Sequence, residues 1–423
     1  MTKALGTRAL GIIADDFTGA LFVAGYLESA GVACPVLFDP AATPPAAPVV
    51  VLATRSRLVP VAEALEIVTQ GAAALTAMGC ARIAYKACAS FDSTAQGNIG
   101  PAADLLADLY GGPVLYSAGF PAFGATVHQG YLFYRGRLVS DSIKQHDPLT
   151  PMTDPDLARF LSLQSRGPVG LLPHSVLRHG AGAAQTALDA LLNAGANHVL
   201  LDATDDGDVE ICADLAAAMP CTVAASDPLI VALGRRLAAD YPVVPPIPPG
   251  QVTGQTVVLA GSVGPVVLGQ LATFAAAHPA RTLDLLDPKP LAAQIAAAVA
   301  WAAPLLQHGP VAIATATDTA GVEAAQAAFG PFGAARRAEG LLAGIAAGLH
   351  SAGIRRFVVA GGETSGAVVG ALGIAQVRAL PDGPLGCGFC VTDGGDPIAL
   401  YLKPGKVGAD DILLRAIDVM KGL

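Results

Sequence analysis

Short apolar runs alternate with longer Ala-rich segments along the whole chain. Runs of four or five apolar residues predict buried strands, and the segments between them follow a helical pattern. The predicted strands are 10–14, 49–53, 82–85, 113–116, 168–172, 198–202, 221–224, 256–260, 281–284, 311–315, 356–360 and 398–402. The predicted helices are 18–30, 61–78, 100–109, 182–195, 264–277, 290–306 and 335–352.

A proline cluster between residues 242 and 249 interrupts this alternation. Because such a segment continues neither a helix nor a central strand, it behaves as a stiff connector. The chain is therefore predicted to form two domains, 1–241 and 254–423, joined by a Pro-rich linker at 242–253. The predicted fold class is α/β, with two domains of mostly parallel sheets flanked by helices and a ligand cleft between them.

Composition narrows the class of protein. Of the 423 residues, 53% are hydrophobic and only 14% are charged, so a large core can be buried. The net charge of −9 and the lack of a basic cluster argue against a nucleic-acid partner. No apolar stretch reaches the roughly 18 residues of a membrane span, so no membrane partner is expected. The seven cysteines are scattered, which favours a reducing, cytoplasmic location.

Polar side chains follow three predicted strands of the first domain. Asp15 and Asp16 follow the first strand, residues 54–57 follow the second, and Lys86 follows the third, with residues 90–94 shortly after it. Because the carboxyl ends of parallel strands share one edge of a sheet, these clusters are expected to lie together. Arg and Lys there would bind an anion, and carboxylates would accept the proton of a hydroxyl group. The pattern predicts a small, acidic, polyhydroxylated substrate.

Each of these clusters also has a simpler interpretation. Charged residues after a strand are often solvated loop residues, and Asp92, Ser93 and Thr94 could cap a helix. Taken singly, Arg57 and Thr94 are interpreted in this way. The occurrence of three such clusters at three strand ends favours a functional site.

Glycine-rich loops follow strands of the second domain. The strand ending at Ala360 leads into residues 361–366 and a predicted helix at 367–372. Gly261 and Ser262 follow another strand, and residues 402–408 form a loop with two lysines. Glycines let a backbone approach a ligand closely, and a helix N-terminus offers free N–H groups to phosphate. Three such loops predict a phosphate-binding domain.

Several other motifs are absent or unassigned. The chain has no Walker A sequence, no protein-kinase signature, no dinucleotide-binding fingerprint and no His-Glu-x-x-His. The metal ligands are therefore unknown. A polar segment from His128 to Met152 is predicted to be a long loop, and His128 and His146 are given no catalytic role.

In this order, the motifs resemble those of the four-carbon acid sugar kinase family, and most closely its 3-oxo-tetronate kinase branch. The motifs that carry the resemblance are residues 14–20, the stretch 86–100, the segments 128–130 and 147–154, and residues 361–366. The resemblance implies an N-terminal domain that binds an acid sugar, a C-terminal domain that binds ATP, and phosphorylation of a tetronate hydroxyl. Its implied cofactors are ATP and Mg²⁺.

The resemblance also implies site residues. The predicted sugar-acid contacts are Asp16, Arg55, Lys86, Asp92 and Ser93. The predicted ATP contacts are Ser262, Gly362, Glu363, Thr364, Ser365, Gly405, Lys406, Val407 and Gly408. Arg55 or Lys86 would anchor the substrate carboxylate. Asp16, ahead of Asp15 and Asp92, is the predicted catalytic residue that accepts the hydroxyl proton.

Two other functions stay open at this point. One is a family member without catalysis that binds a sugar acid or a nucleotide. The other, a nicotinamide-dependent sugar-acid oxidoreductase, is disfavoured by the missing dinucleotide-binding fingerprint. A homo-oligomer is also left open.

Overall fold

The computed structural model describes residues 7–88, 91, 93–147, 150–242, 252–261, 264–315, 318–405 and 407–423. The chain divides into two compact units, Met1–Pro245 and Pro246–Leu423. Most of the predicted linker at 242–253 lies outside the described residues, and the predicted domain boundaries stay predictions. None of the helices in the described ranges is long and apolar enough to cross a membrane.

A parallel sheet forms the core of the first unit. Its strands are β1 (Leu10–Ala14), β2 (Pro35–Leu37), β3 (Val49–Ala53), β4 (Ile83–Lys86), β5 (Val114–Ser117), β9 (Val169–Leu172), β10 (His198–Leu201) and β11 (Thr222–Ala225). They lie in the order β2-β3-β1-β4-β11-β5-β10-β9, and every neighbouring pair is parallel. Strands β1, β3, β4 and β11 are buried along their whole length, which explains their continuous apolar sequences.

The other elements of the first unit are helices and a small antiparallel sheet. The helices are α1 (Phe17–Ser29), α2 (Val61–Ala77), α3 (Ile99–Tyr110), α4 (Leu157–Ser162), α5 (His174–Leu177), α6 (Ala181–Asn193), α7 (Asp206–Ala218) and α8 (Asp227–Ala238). The small sheet consists of β6 (Ala125–His128), β7 (Tyr131–Tyr134) and β8 (Arg137–Leu138).

The strand register brings four carboxyl ends to one edge of the parallel sheet. Ala14 is in register with both Ala53 and Lys86, and Lys86 is in register with Ala225. The residues that follow β1, β3, β4 and β11 therefore lie side by side along this edge.

The second unit has a mixed sheet of its own. Its strands are β12 (Thr256–Ala260), β13 (Ala280–Thr282), β14 (Val311–Ala314), β15 (Arg356–Ala360), β16 (Gln376–Ala379), β17 (Phe389–Val391) and β18 (Ala399–Lys403). In the order β13-β14-β12-β15-β18-β17-β16, the pairs from β13 to β18 are parallel and the last two are antiparallel. The helices are α9 (Pro265–Ala275), α10 (Leu291–Leu305), α11 (Thr319–Phe329), α12 (Pro331–Ser351), α13 (Gly362–Ala371) and α14 (Ile412–Lys421).

The predicted α/β class, with mostly parallel sheets flanked by helices, is confirmed. Among the local predictions that differ from the structure, two concern segments discussed as candidate sites. The segment from His128 to Met152 is not one long loop, because β7 and β8 pair with β6 inside it. Helix α13 begins at Gly362 instead of residue 367, so Glu363, Thr364 and Ser365 lie in its first turns.

Candidate active site

Asp15 and Asp16 lie between the end of β1 and the start of α1. Asp16 is the N-cap of α1, and its Oδ1 accepts a 2.8 Å hydrogen bond from the Gly19 backbone N–H. Its Oδ2 accepts a 2.8 Å bond from the Thr18 hydroxyl. An Asp at this position stabilises the helix start by satisfying a free N–H group. The same bonds fix the direction of the Asp16 carboxylate at the edge of the sheet.

Arg57 joins the two aspartates. Its Nε lies 3.1 Å from Asp15 Oδ2, and its Nη2 contacts Asp16 Oδ2. The Cys88 backbone N–H donates a 3.2 Å bond to the same oxygen of Asp15. The interpretation of Arg57 as a solvated loop residue does not hold, since its side chain is only 21% exposed and is paired with both carboxylates.

Asn98 holds the loop that carries Arg57. The Asn98 side-chain amide donates hydrogen bonds to the carbonyl oxygens of Ser56, Arg57 and Val59, at 2.7, 3.2 and 2.9 Å. Asn98 is buried, so these bonds are protected from water. The loop after β3 therefore has a fixed conformation relative to α3.

Lys86 is a buried cation between two carboxylates. It is 3% exposed, and its Nζ lies 3.5 Å from Asp227 Oδ2 and 3.9 Å from Asp16 Oδ1. Burial opposes its charge, but Asp227 and Asp16 outweigh burial and raise the pKa of Lys86 above its ordinary value. Lys86 is therefore charged across the physiological pH range.

Gly19 makes room for this ammonium group. A Cβ at position 19 would overlap Lys86 Nζ and lie 2.5 Å from Asp16 Oδ1. Gly19 occupies the first turn of α1, where any larger residue would push Lys86 away from the carboxylates. The glycine of the Asp-Phe-Thr-Gly sequence is thus explained by a close approach of a side chain.

Asp227 is the first residue of α8 and lies two residues after the end of β11. The Ser226 backbone N–H donates a 2.8 Å bond to the Ser117 carbonyl, and the Ser226 hydroxyl donates a 2.6 Å bond to the Gly119 carbonyl. These bonds fix the start of α8 beside β4 and β5. Asp227 is consequently 2% exposed and faces Lys86.

The three carboxyl groups of this cluster have different acidities. Burial raises the pKa of Asp15, and the nearby Arg57 and Lys86 only partly offset it. Burial also acts on Asp16, but Arg57, Lys86 and the Thr18 and Gly19 bonds outweigh it and hold its pKa well below the ordinary value. Burial raises the pKa of Asp227 to about 6, against the lowering effect of Lys86. Asp16 is therefore a firmly ionised hydrogen-bond acceptor.

The other predicted sugar-acid contacts are placed as follows. Arg55 has an exposed side chain just after β3. Ser93 is 5% exposed, and its hydroxyl accepts a 3.0 Å bond from the Gln164 side-chain amide. Asp92 lies outside the described residues. The roles predicted for Arg55, Asp92 and Ser93 stay predictions.

In the second unit, glycines follow aligned strand ends. Ala260 is in register with Ala360, which is in register with Lys403, so Gly261 and Gly361 begin neighbouring loops. Gly361 has φ 132°, a conformation that favours glycine, and caps α13 without a side-chain hydrogen bond. The N-terminus of this helix, which includes Gly362, is the kind of helix start that suits a phosphate group.

The hydroxyl groups at the start of α13 are buried. Ser365 Oγ donates a 2.7 Å bond to the Gly361 carbonyl, so this hydroxyl is used within the helix. Gly261 packs against Thr364 so closely that a Cβ would overlap the Thr364 hydroxyl. Glu363 is partly exposed in the same turn. Ser262 lies outside the described residues.

The loop after β18 is anchored from α9. The buried Gln270 side-chain amide donates bonds of 3.1 and 3.0 Å to the carbonyls of Val407 and Gly408. Gly405 is buried, Gly408 is exposed, and Lys406 lies outside the described residues. The glycine loop is thus held next to the carboxyl end of β18.

Lys403, the last residue of β18, is 1% exposed. Its Nζ donates a 2.8 Å bond to the Pro404 carbonyl, and within the described ranges the structure gives it no carboxylate partner. Burial lowers the pKa of Lys403 to about 8. A buried cation with only a neutral acceptor is costly unless an anion binds to it.

Three residues of these clusters were not predicted as site residues. Arg57, Asp227 and Lys403 each end or follow a buried strand, as Asp15 does. The rule that located Asp15 and Lys86, a charged residue at the end of an apolar run, would also have found Asp227 and Lys403. Strand register, which shows that β11 lies beside β4, is not visible in the sequence.

Two family models match the two units. A model described as "Sugar-binding N-terminal domain" matches residues 10–233, and one described as "Nucleotide-binding C-terminal domain" matches residues 257–413. A 3-oxo-tetronate kinase of Methylobacterium radiotolerans is 39% identical over 97% of this chain and 99% of its own. The chain belongs to the four-carbon acid sugar kinase family. The resemblance inferred from the motifs is therefore confirmed.

Further members of the family are similar over their whole length. A 3-oxo-tetronate kinase of Burkholderia multivorans is 35% identical, with full coverage of both chains. A crystal structure from Salmonella typhimurium LT2 superposes with a TM-score of 0.81 at 33% identity, covering 96% of this chain and 98% of the other. A Haemophilus influenzae structure has a TM-score of 0.72 at 29% identity, covering 98% of this chain and 99% of the other.

Proposed function

We propose that this member of the acid sugar kinase family transfers a phosphoryl group from ATP to a hydroxyl of a four-carbon sugar acid. The proposed acceptors are 3-oxo-tetronate, threonate and erythronate. The observation that carries the proposal is the buried cluster of Asp15, Asp16, Arg57 and Lys86 at one sheet edge of the unit matched by the sugar-binding model. Cations and carboxylates together suit a ligand that bears both a carboxylate and hydroxyl groups.

The proposed reaction is an in-line displacement at the γ-phosphorus of ATP. The substrate hydroxyl oxygen forms a bond to phosphorus, its proton leaves to solvent by way of Asp16, the bond from phosphorus to the β-phosphate oxygen breaks, and ADP leaves. Asp16, fixed by Thr18 and Gly19, would accept the hydroxyl hydrogen bond and orient the oxygen. Such transfer depends mainly on positioning and on charge stabilisation, which a fixed carboxylate and cations provide.

The second unit would hold the nucleotide phosphates. Support comes from the N-terminus of α13, which follows a glycine loop, and from the buried cation of Lys403 at the end of the neighbouring strand. Mg²⁺ is proposed to bind together with ATP and to neutralise the charge of its phosphates. Among the described residues no group of three or more His, Cys, Asp or Glu side chains could hold a metal ion.

ATP turnover with a panel of tetronates tests the proposed function. We expect a phosphorylated product and ADP in equal amounts with at least one of the three acids, and no product with erythritol, which lacks the carboxylate. Absence of product with all three acids would remove the kinase proposal. Sugar-acid binding by calorimetry without turnover would then support the non-catalytic binding protein.

Replacing Lys403 with methionine should weaken nucleotide binding. The substitution removes a buried positive charge near the start of α13, so we expect the Kd for ADP to rise roughly tenfold to a hundredfold. The affinity for the sugar acid should not change. Lys289→Met provides a matched control, since Lys289 lies in the same unit with a 71% exposed side chain. Equal ADP affinity in the wild type and the Lys403 variant would contradict the assignment.

A further inference from the structure

The buried cluster of the first unit contains more carboxylates than cations. Among the described residues it comprises three aspartates, Asp15, Asp16 and Asp227, and two cations, Arg57 and Lys86. Every one of these residues except Arg57 is at least nine-tenths buried. With every group ionised, the cluster carries one excess negative charge.

A sugar acid would add another negative charge to this cluster. An unpaired charge in a buried site is unfavourable, because no attraction to an opposite charge offsets its loss of hydration. Binding of an anion next to Lys86 therefore favours protonation of one of the aspartates. The question is which of the three can accept a proton at the lowest cost.

Asp16 and Asp15 are poorly suited to accept it. Both Asp16 oxygens receive hydrogen bonds, from Gly19 and Thr18, and both lie in ion pairs. Asp15 Oδ2 receives bonds from Arg57 and from the Cys88 backbone. Protonation of either carboxylate would weaken the hydrogen bonds that these aligned donors make to it.

Asp227 differs from both in how its oxygens are held. Within the part of the chain that the structure describes, the Oδ1 atoms of Asp227 and Asp15 are both buried without a hydrogen-bond partner, but Asp15 Oδ2 is held by two aligned donors. Asp227 Oδ2 lies 3.5 Å from Lys86 Nζ, too far for a strong charge-assisted bond. The charged groups that act on Asp227 are Lys86 of β4 and, after β1, Asp16 and Asp15. The pKa of about 6 that burial gives Asp227 agrees with this geometry.

We propose that sugar-acid binding is coupled to the uptake of one proton by Asp227, which releases Lys86 to pair with the ligand carboxylate. The proton comes from solvent and is bound by the Asp227 carboxylate. This inference rests on the proposed function, because it requires an acidic ligand at the Lys86 edge. It makes Asp227 the residue that sets the charge, and so the pH range, in which the site accepts an anion.

The coupling predicts a pH-dependent affinity. Above the pKa of Asp227, each further pH unit should raise the KM for the sugar acid roughly tenfold, since a proton must be taken up. The KM for ATP should not follow this dependence. An Asp227→Asn variant has no titratable group there, so its KM for the acid should be flat with pH and lower than the wild-type value at pH 8.

Calorimetric titration with threonate at pH 7 tests the proposal directly. Titrations in PIPES and in imidazole, which differ in ionisation enthalpy, give the number of protons taken up on binding. We expect close to one proton for the wild type and close to zero for Asp227→Asn. Asp104→Asn is the matched control, because Asp104 is also buried in this unit and is ion-paired, with Arg166. It should retain the uptake.

The outcomes separate the two proposals. Turnover of threonate without proton uptake by the wild type would overturn the coupling and leave the kinase function intact. Uptake that persists in Asp227→Asn would likewise overturn the assignment to Asp227. No binding and no turnover with threonate, erythronate or 3-oxo-tetronate would remove the proposed function and the coupling with it. The proton uptake measured on the wild type tests the coupling even if the Asp227→Asn variant fails to fold.

Discussion

Replacing Lys86 with methionine is expected to lower the free energy of unfolding by about 3–5 kcal/mol at pH 8. The substitution removes a 3% exposed cation that lies within 4 Å of Asp16 and Asp227. Both aspartates would stay buried with less compensation for their charge. Urea unfolding followed by circular dichroism measures the difference.

The loss should be smaller at pH 5.5. The raised pKa of Lys86 means that its contribution is present throughout this range and is lost only at alkaline pH. The lowered pKa of Asp16 means that its contribution is lost only below about pH 4. Asp227 has a pKa raised to about 6, and without Lys86 this pKa rises further. Asp227 therefore becomes neutral as the pH falls from 8 to 5.5, which removes a buried charge.

A double variant makes the test specific. Lys86→Met combined with Asp227→Asn should recover part of the stability at pH 8, because a neutral amide replaces the unpaired carboxylate. Lys421→Met serves as control, since Lys421 is 62% exposed in a surface pair with Asp418. Stability of the Lys86 variant equal to the wild type at pH 8 would contradict the buried-cluster description.

Replacing Arg57 with methionine should reduce kcat/KM for the sugar acid about a hundredfold or more, equivalent to about 3 kcal/mol. Arg57 holds both Asp15 and Asp16, and its loss leaves two buried carboxylates without their common partner. The orientation of Asp16, on which the proposed transfer depends, would also be less fixed. Steady-state kinetics with each substrate varied in turn measures the effect.

Arg55→Met distinguishes this role from direct substrate binding. Arg55 is exposed two residues earlier in the same loop, and it is one of the two predicted anchors of the substrate carboxylate, with Lys86. Its replacement should raise the KM for the sugar acid while the unfolding free energy is unchanged. Wild-type kinetics in the Arg57 variant would show that the aspartates need no such partner.

The sequence predicts the sheet edge better than it predicts the site. A buried parallel strand is a continuous apolar run, so β1, β3, β12 and β15 were placed at their observed bounds. A charged residue that interrupts such a run marks the strand end, which identified Asp15 and Lys86. The three-residue β2 and the hairpin strands β6 to β8 are too short or too polar for this signal.

The partners of the charged residues could not be predicted. Arg57 differs from Arg55 only by two positions in a polar loop, and the choice between them depends on the Asn98 bonds that orient the loop. Asp227 comes near Lys86 because β11 is inserted beside β4, a pairing set by the tertiary fold. Neither the orientation of the Arg57 loop nor the pairing of β11 with β4 can be inferred from the spacing of residues in the sequence.

The position of β11 also determines when the site can form. β11 and α8 are the last strand and helix of the first unit along the chain, yet β11 lies between β4 and β5, inside the sheet. During synthesis the earlier strands emerge first and must leave a gap for β11 or rearrange around it. Such non-local insertion is slow compared with local helix formation. A chain that ends before α8 lacks Asp227 and therefore cannot carry the complete ion-pair cluster.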